Sequence, residues 1–100
     1  EQKSVDEVNK IIVACEAGMG SSAMAATQIK NKVEEAGLDI EVDNYAVSDI
    51  PEDADIIFAH EGLIERVKEV APGREYIPID NFMNNPAYDK LVERLKSESK

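Results

Sequence analysis

The residues best suited to chemistry lie between positions 15 and 23. Cys15 is the single cysteine of the 100-residue chain, and it is followed by Glu16, Ala17, Gly18, Met19, Gly20, Ser21, Ser22 and Ala23. The thiolate form of cysteine is a strong nucleophile. Glycines let a loop fold back and turn successive backbone N–H groups inward, which makes a nest for an anion. A helix starting near Ala23 would point its positive end at the same place. Ser21 and Ser22 add hydroxyl donors. No charged side chain stands between Glu16 and Lys30, so an anion here would be held by backbone dipoles and hydroxyls, not by Arg or Lys. Sulfur facing such a nest is placed to accept a phosphoryl group. The bland alternative is a small buried apolar thiol.

Other residues gather around this loop if the chain is α/β. His60 is the only histidine and ends an apolar run on the same edge, where it is read as an auxiliary group, either base or hydrogen-bond partner. A histidine at a strand end can equally be a satisfied surface residue. Glu16 would repel a dianion if it pointed inward, so it reads as a solvent-facing carboxylate or as a group that tunes exchange. Met19, between two glycines, and Asn81, Phe82 and Met83 read as candidate partner surface. Asp49, Asp53 and Asp55 lack ligand-like spacing for a metal.

The elements that position these groups follow from hydrophobic periodicity. KIIVAC at 10–15 holds a continuous apolar run from Ile11 to Ala14, as in a strand buried on both faces. From Ala23 the period becomes helical, with Ala26, Ile29, Val33 and Ala36 on one face. Ser21 or Ser22 is the expected N-cap and Gly37 the C′ residue. A second strand is expected at about 39–47. There Ile40, Val42 and Asn44 alternate with Glu41 and Asp43, the pattern of an edge strand. DIIFAH at 55–60 is the third strand. A short helix at 62–71 carries Leu63, Ile64, Val67 and Val70 and stops at Pro72 and Gly73. A fourth strand spans 75–79, where Pro78 favours the opposite edge. Asn85 and Pro86 form an N-cap and N1 pair, and the last helix turns Tyr88, Leu91, Val92 and Leu95 inward. Alternating strands and helices imply right-handed crossovers and a parallel sheet. The expected fold is a small doubly wound α/β domain. It is a Rossmann-like, four-stranded parallel sheet of order 2-1-3-4 with three helices, resembling the low-molecular-weight phosphatases. Such folds bind ligands at the carboxyl ends of the strands, at the switch point; here that is Cys15 and its loop. Residues 1–9 read as a linker or tail and 10–97 as the domain.

Composition sets limits on function. The chain carries 21 acidic and 11 basic side chains, a formal charge of −10. This disfavours nucleic acid and anionic membrane surfaces. Six acids and no base fall in 41–60, so the acidity is concentrated away from the loop. No run of about 20 apolar residues is present for a membrane helix, and direct insertion is not expected. A lone cysteine excludes an intrachain disulfide and fits a reducing, cytosolic setting.

The string IIVACEAGMGSSAMAA resembles the active loop of the enzyme IIB domain of the mannitol-specific sugar phosphotransferase system. Weaker similarity continues through His60, LIERV at 63–67, IDNF at 79–82 and LVERL at 91–95, covering roughly residues 9–96. Glu16 stands where members of that family commonly have Asp. The resemblance implies that Cys15 takes a phosphoryl group from a phosphohistidine of enzyme IIA. It would then pass the group to mannitol, or a related polyol, on the membrane-embedded enzyme IIC. The loop Glu16–Ala23 would hold the phosphate, at the inner face of the cell membrane, and no metal or organic cofactor is implied.

Two alternatives remain: a low-molecular-weight cysteine phosphatase-like enzyme, and a regulatory IIB-like module attached to a transcription regulator. Cysteine phosphatases place Arg six residues after the nucleophile, and here that position is Ser21. Such an arginine clamps the equatorial oxygens of the transferring group, so its absence suits a carrier that holds the group. Ser21→Arg should therefore shorten the lifetime of a phosphocysteine at position 15, read as inorganic phosphate release; an unchanged or longer lifetime would refute this.

Overall fold

The computed structural model describes residues 8–16, 21–80 and 85–99. Four strands, β1 (Lys10–Cys15), β2 (Glu41–Ala46), β3 (Ile56–His60) and β4 (Glu75–Ile79), form one sheet of order β2-β1-β3-β4. Every neighbouring pair is parallel. The helices are α1 (Ser21–Glu35), α2 (Ile64–Val70) and α3 (Pro86–Ser99). The doubly wound α/β sheet expected from the sequence is thus the fold observed.

Strand periodicity divides the core into two layers. Ile11, Val13, Ile56 and Phe58 pack with Ala25, Ala26, Ile29 and Val33 of α1 and with Tyr88, Leu91, Val92 and Leu95 of α3. Ile12, Ala14, Ile57 and Ala59 face the other way, onto Val47, Ile64, Val67 and Ala71. Phe58 and Tyr88 meet edge to face, with centroids 5.2 Å apart, a geometry that adds about 0.5–1.5 kcal/mol to simple burial. Val8, placed by the sequence reading in the lead-in, is buried in the first layer. Asn9 is also tied in: its carbonyl accepts from Glu41 N–H. The other residues of that lead-in, 1–7, lie outside the described residues.

The helix ends follow local chemistry. Gly37, at φ 76°, closes α1. Its N–H donates to Glu34 O at 3.0 Å, and Leu38 N–H donates to Val33 O at 3.1 Å, the paired bonds of a Schellman motif. Asn85 caps α3, its Oδ1 accepting from Ala87 N–H at 2.9 Å.

Three expectations need correction. Helix α1 begins at Ser21, two residues before Ala23, so Ser21 and Ser22 lie inside its first turn. Strand β2 is shorter than 39–47, because Val47 turns into a 3-10 segment with Ser48 and Asp49. The 62–71 helix is divided into a 3-10 turn at Glu61–Leu63 and α2 proper, and Val70 is exposed. Asp55 ties two strands together. Its carboxylate accepts from the N–H groups of Asn9 at 2.8 Å and Lys10 at 3.1 Å, joining the starts of β1 and β3.

Ion pairs gather at the amino ends of β1 and β4. Lys10 Nζ lies 3.4 Å from Glu41 and 3.5 Å from Asp53. Burial acts to lower the Lys10 pKa, but the hydrogen bond to Glu41 and the fields of Tyr45 and Asp53 outweigh it and raise the value. Glu75, buried at the start of β4, takes both oxygens to the Arg94 fork at 2.8 and 2.9 Å, a bidentate geometry that is strong and directional.

Burial pushes the Tyr88 phenol from 10.0 up to about 12. The folded state therefore holds this proton more tightly than the unfolded chain. The associated stability is complete below pH 10 and is lost as pH rises through about 12. Chemical denaturation across this window should show a smaller decline in stability for Tyr88→Phe than for the parent. Equal slopes would refute the assignment.

Candidate functional site

The carboxyl ends of β1 and β3 lie side by side, since Ala14 pairs with Ala59 and the next residues are Cys15 and His60. Lys10 to Ala14 are buried, and Cys15 is the first residue of β1 to reach partial exposure. Its parity along the strand is that of Ile11 and Val13, which face α1. The sulfur accordingly meets α1: Cys15 Sγ lies 3.0 Å from Ser22 Oγ. Ser22 is only 1% exposed, so its hydroxyl is held by packing. When sulfur is a thiolate, the hydroxyl must be the donor, because the anion has no proton to give.

The first turn of α1 contains no acidic residue, so no carboxylate of this helix opposes an anion at its N-terminus. Ala23 is half-buried and Met24 is 54% exposed. Glu16 is exposed, the solvent-facing disposition expected for it. Ala17, Gly18, Met19 and Gly20 lie outside the described residues, as do Asn81, Phe82 and Met83.

On the other flank, His60 is exposed and its Nδ1 accepts from Gly62 N–H at 3.1 Å. This bond caps the 3-10 turn after β3. Cys15, Glu16, His60, Gly62 and Leu63 line one open cleft of about 370 Å3. The structure therefore brings together Cys15, Glu16, Ser22 and His60 from the sequence-predicted set. Gly62 and Leu63 were not foreseen as cleft residues. Their only sequence signal is adjacency to His60. The Ser22 contact with sulfur was also missed, because a serine before a helical pattern reads first as a cap. Among the described residues, no group of three or more His, Cys, Asp or Glu side chains is placed to hold a metal ion. No described helix is long and apolar enough to cross a membrane.

A small parallel α/β domain with its one thiol at the switch point, against a serine in the first turn of the next helix, defines the structural class. The model of the family described as "PTS system, Lactose/Cellobiose specific IIB subunit" matches residues 10–94, and the chain belongs to that IIB family. It is 53% identical over 97 residues to the PTS system mannitol-specific EIICB component of Halalkalibacterium halodurans, covering 97% of this chain and 21% of the relative. It is also 53% identical to the component of that name from Bacillus subtilis, covering 93% of this chain and 20% of the relative. The mannitol-specific EIICBA component of Pasteurella multocida is 48% identical over 90% of this chain and 14% of its own length. The chain thus spans about a fifth or less of these relatives.

Removing the hydroxyl beside the sulfur should slow alkylation of Cys15. Ser22→Ala is expected to react with iodoacetamide several-fold more slowly than the parent at neutral pH, whereas Ser22→Thr stays near it. A charge-assisted hydrogen bond is worth about 1.5–3 kcal/mol. Equal rates for all three proteins would show that the contact does not act on the thiolate.

Proposed function

We propose that this domain is a phosphoryl carrier of a sugar phosphotransferase system. The observation that carries the reading is the Cys15 sulfur beside the Ser22 hydroxyl, at the junction of β1 and α1, in a chain of the IIB family. Cys15 attacks the phosphorus of a phosphohistidine on an enzyme IIA partner. The S–P bond forms as the N–P bond breaks, and the imidazole nitrogen leaves with the electron pair. A sugar hydroxyl then attacks the same phosphorus on enzyme IIC. The thiolate departs, the hydroxyl proton is lost to a base, and the sugar leaves phosphorylated. The domain is accordingly a phosphotransferase whose Cys15 is unphosphorylated at the start and at the end of its cycle.

The reading assigns phosphate binding to the stretch from Glu16 to Ala23, with Ala17 to Gly20 supplying backbone N–H groups. Residues 10–97 act as the IIB domain and 1–9 as the segment leading into it. The relatives' designations, EIICB and EIICBA components, support a IIC neighbour and a cytoplasmic position tethered to the membrane component. They also support mannitol as the acceptor, giving mannitol 1-phosphate. The family's own description names lactose and cellobiose, but mannitol appears in the names of the relatives that share about half of this sequence.

Incubation with a phosphorylated mannitol-type IIA domain should add the mass of one phosphoryl group to the protein, and Cys15→Ser should abolish the gain. No transfer from any IIA donor would overturn the carrier reading.

A further inference from the structure

His60 stands in the same cleft as Cys15, and the carrier chemistry above gives it no task. Its ring is already oriented. Nδ1 accepts the Gly62 N–H at 3.1 Å, so in the neutral imidazole the ring proton belongs on Nε2. The ring is exposed, which leaves that N–H available to a ligand. Among the described residues, the others that line the cleft are Cys15, Glu16, Gly62 and Leu63. Glu16 is an acceptor when ionised, and Leu63 has no polar side-chain atom, so His60 is the side chain among them that can donate a nitrogen-borne hydrogen bond to a phosphoryl oxygen.

We propose that His60 contacts the transferring phosphoryl group, its Nε2–H donating a hydrogen bond to a nonbridging oxygen of the group on Cys15. This rests on the carrier reading and deepens it. No proton moves through His60. The N–P bond of the donor breaks as the S–P bond forms, and the Nε2–H bond persists while charge redistributes over the three oxygens. The main-chain bond at Nδ1 fixes both tautomer and ring orientation, so the 3-10 turn at Glu61–Leu63 serves the site through its cap. Contact from β3 complements the Ser22 hydroxyl, which reaches the sulfur from α1. The two donors thus approach the S–P unit from different elements.

Two amide variants separate this role from simple capping. His60→Asn places an amide near the Nδ1 position and can keep the bond to Gly62. His60→Gln places an amide N–H near the Nε2 position and can keep the ligand contact. Phosphoryl transfer from a phosphorylated IIA domain should fall about 10-fold or more in His60→Asn, as expected for loss of a charge-assisted bond, and recover substantially in His60→Gln. Parental rates in His60→Asn, or no recovery in His60→Gln, would overturn the proposal. A second measurement is independent of the IIA donor. Titration of the nitrogen-15-labelled protein with inorganic phosphate should shift the His60 Nε2 resonance saturably, and sodium chloride at equal ionic strength should not. If no donor phosphorylates Cys15, the carrier reading fails on its own, and the phosphate titration still decides the His60 contact: a saturable shift supports it and its absence overturns it.

Discussion

Burial of β1 on both faces is the constraint on which the site depends. Residues 10–14 are covered by α1 and α3 on one side and by the α2 layer on the other, with β2 and β3 bonded to its two edges. A strand held on four sides cannot slide, because a one-residue slip would turn Ile11 and Val13 into the opposite layer. Cys15 is therefore delivered to one place, with its parity fixed toward α1. Helix α1 is fixed in turn by Ala25, Ile29 and Val33 in the shared core and by the Schellman closure at Gly37. The sulfur and the Ser22 hydroxyl thus meet as the consequence of two elements packed in one core.

Charge is partitioned along the β1 axis. At its amino end, Lys10 bridges Glu41 and Asp53, and the Asp55 carboxylate accepts two main-chain N–H groups. Glu75 and Arg94 close the start of β4 against α3. The carboxyl end carries the thiol, the serine and the imidazole. These ion pairs and the candidate site therefore occupy opposite ends of the strands, and doubly wound folds bind their ligands at the carboxyl end. A net charge of −10 does not decide what binds at the carboxyl edge. Fields fall off within a Debye length of about 8 Å at physiological salt, so the local donors govern an anion there. In the proposed relay the domain handles only sulfur and phosphorus, and the choice of sugar lies with another component.

Much of the fold was legible in the sequence because its signals are local. Continuous apolar runs at 11–14 and 56–59 mark buried parallel strands, and the 3.6-residue period of α1 and α3 identifies their inward faces. Gly37 and the Asn85-Pro86 pair mark helix ends. Misplaced boundaries arose where two local readings compete. Ser21 and Ser22 resemble caps but lie in the first turn. Val47 continues the β2 pattern in type, yet it turns into the second layer. Val70 has the spacing of a core residue, yet it lies exposed at the last position of α2.

Residue order alone marked Cys15 as the candidate nucleophile, the uncharged stretch that follows Glu16, the parallel α/β class and the strand order, because these rest on residue type and short-range periodicity. Tertiary structure decided which groups meet the sulfur. Ser22 reaches it only because α1 packs back across β1, bringing a helix turn onto a strand end seven positions earlier in the chain. His60 shares its cleft only because β3, far along the chain, pairs directly with β1. The role of Asp55 likewise depends on a contact across forty-five positions. Such long-range placements follow from the summed burial of whole faces, and no short stretch of sequence encodes that sum.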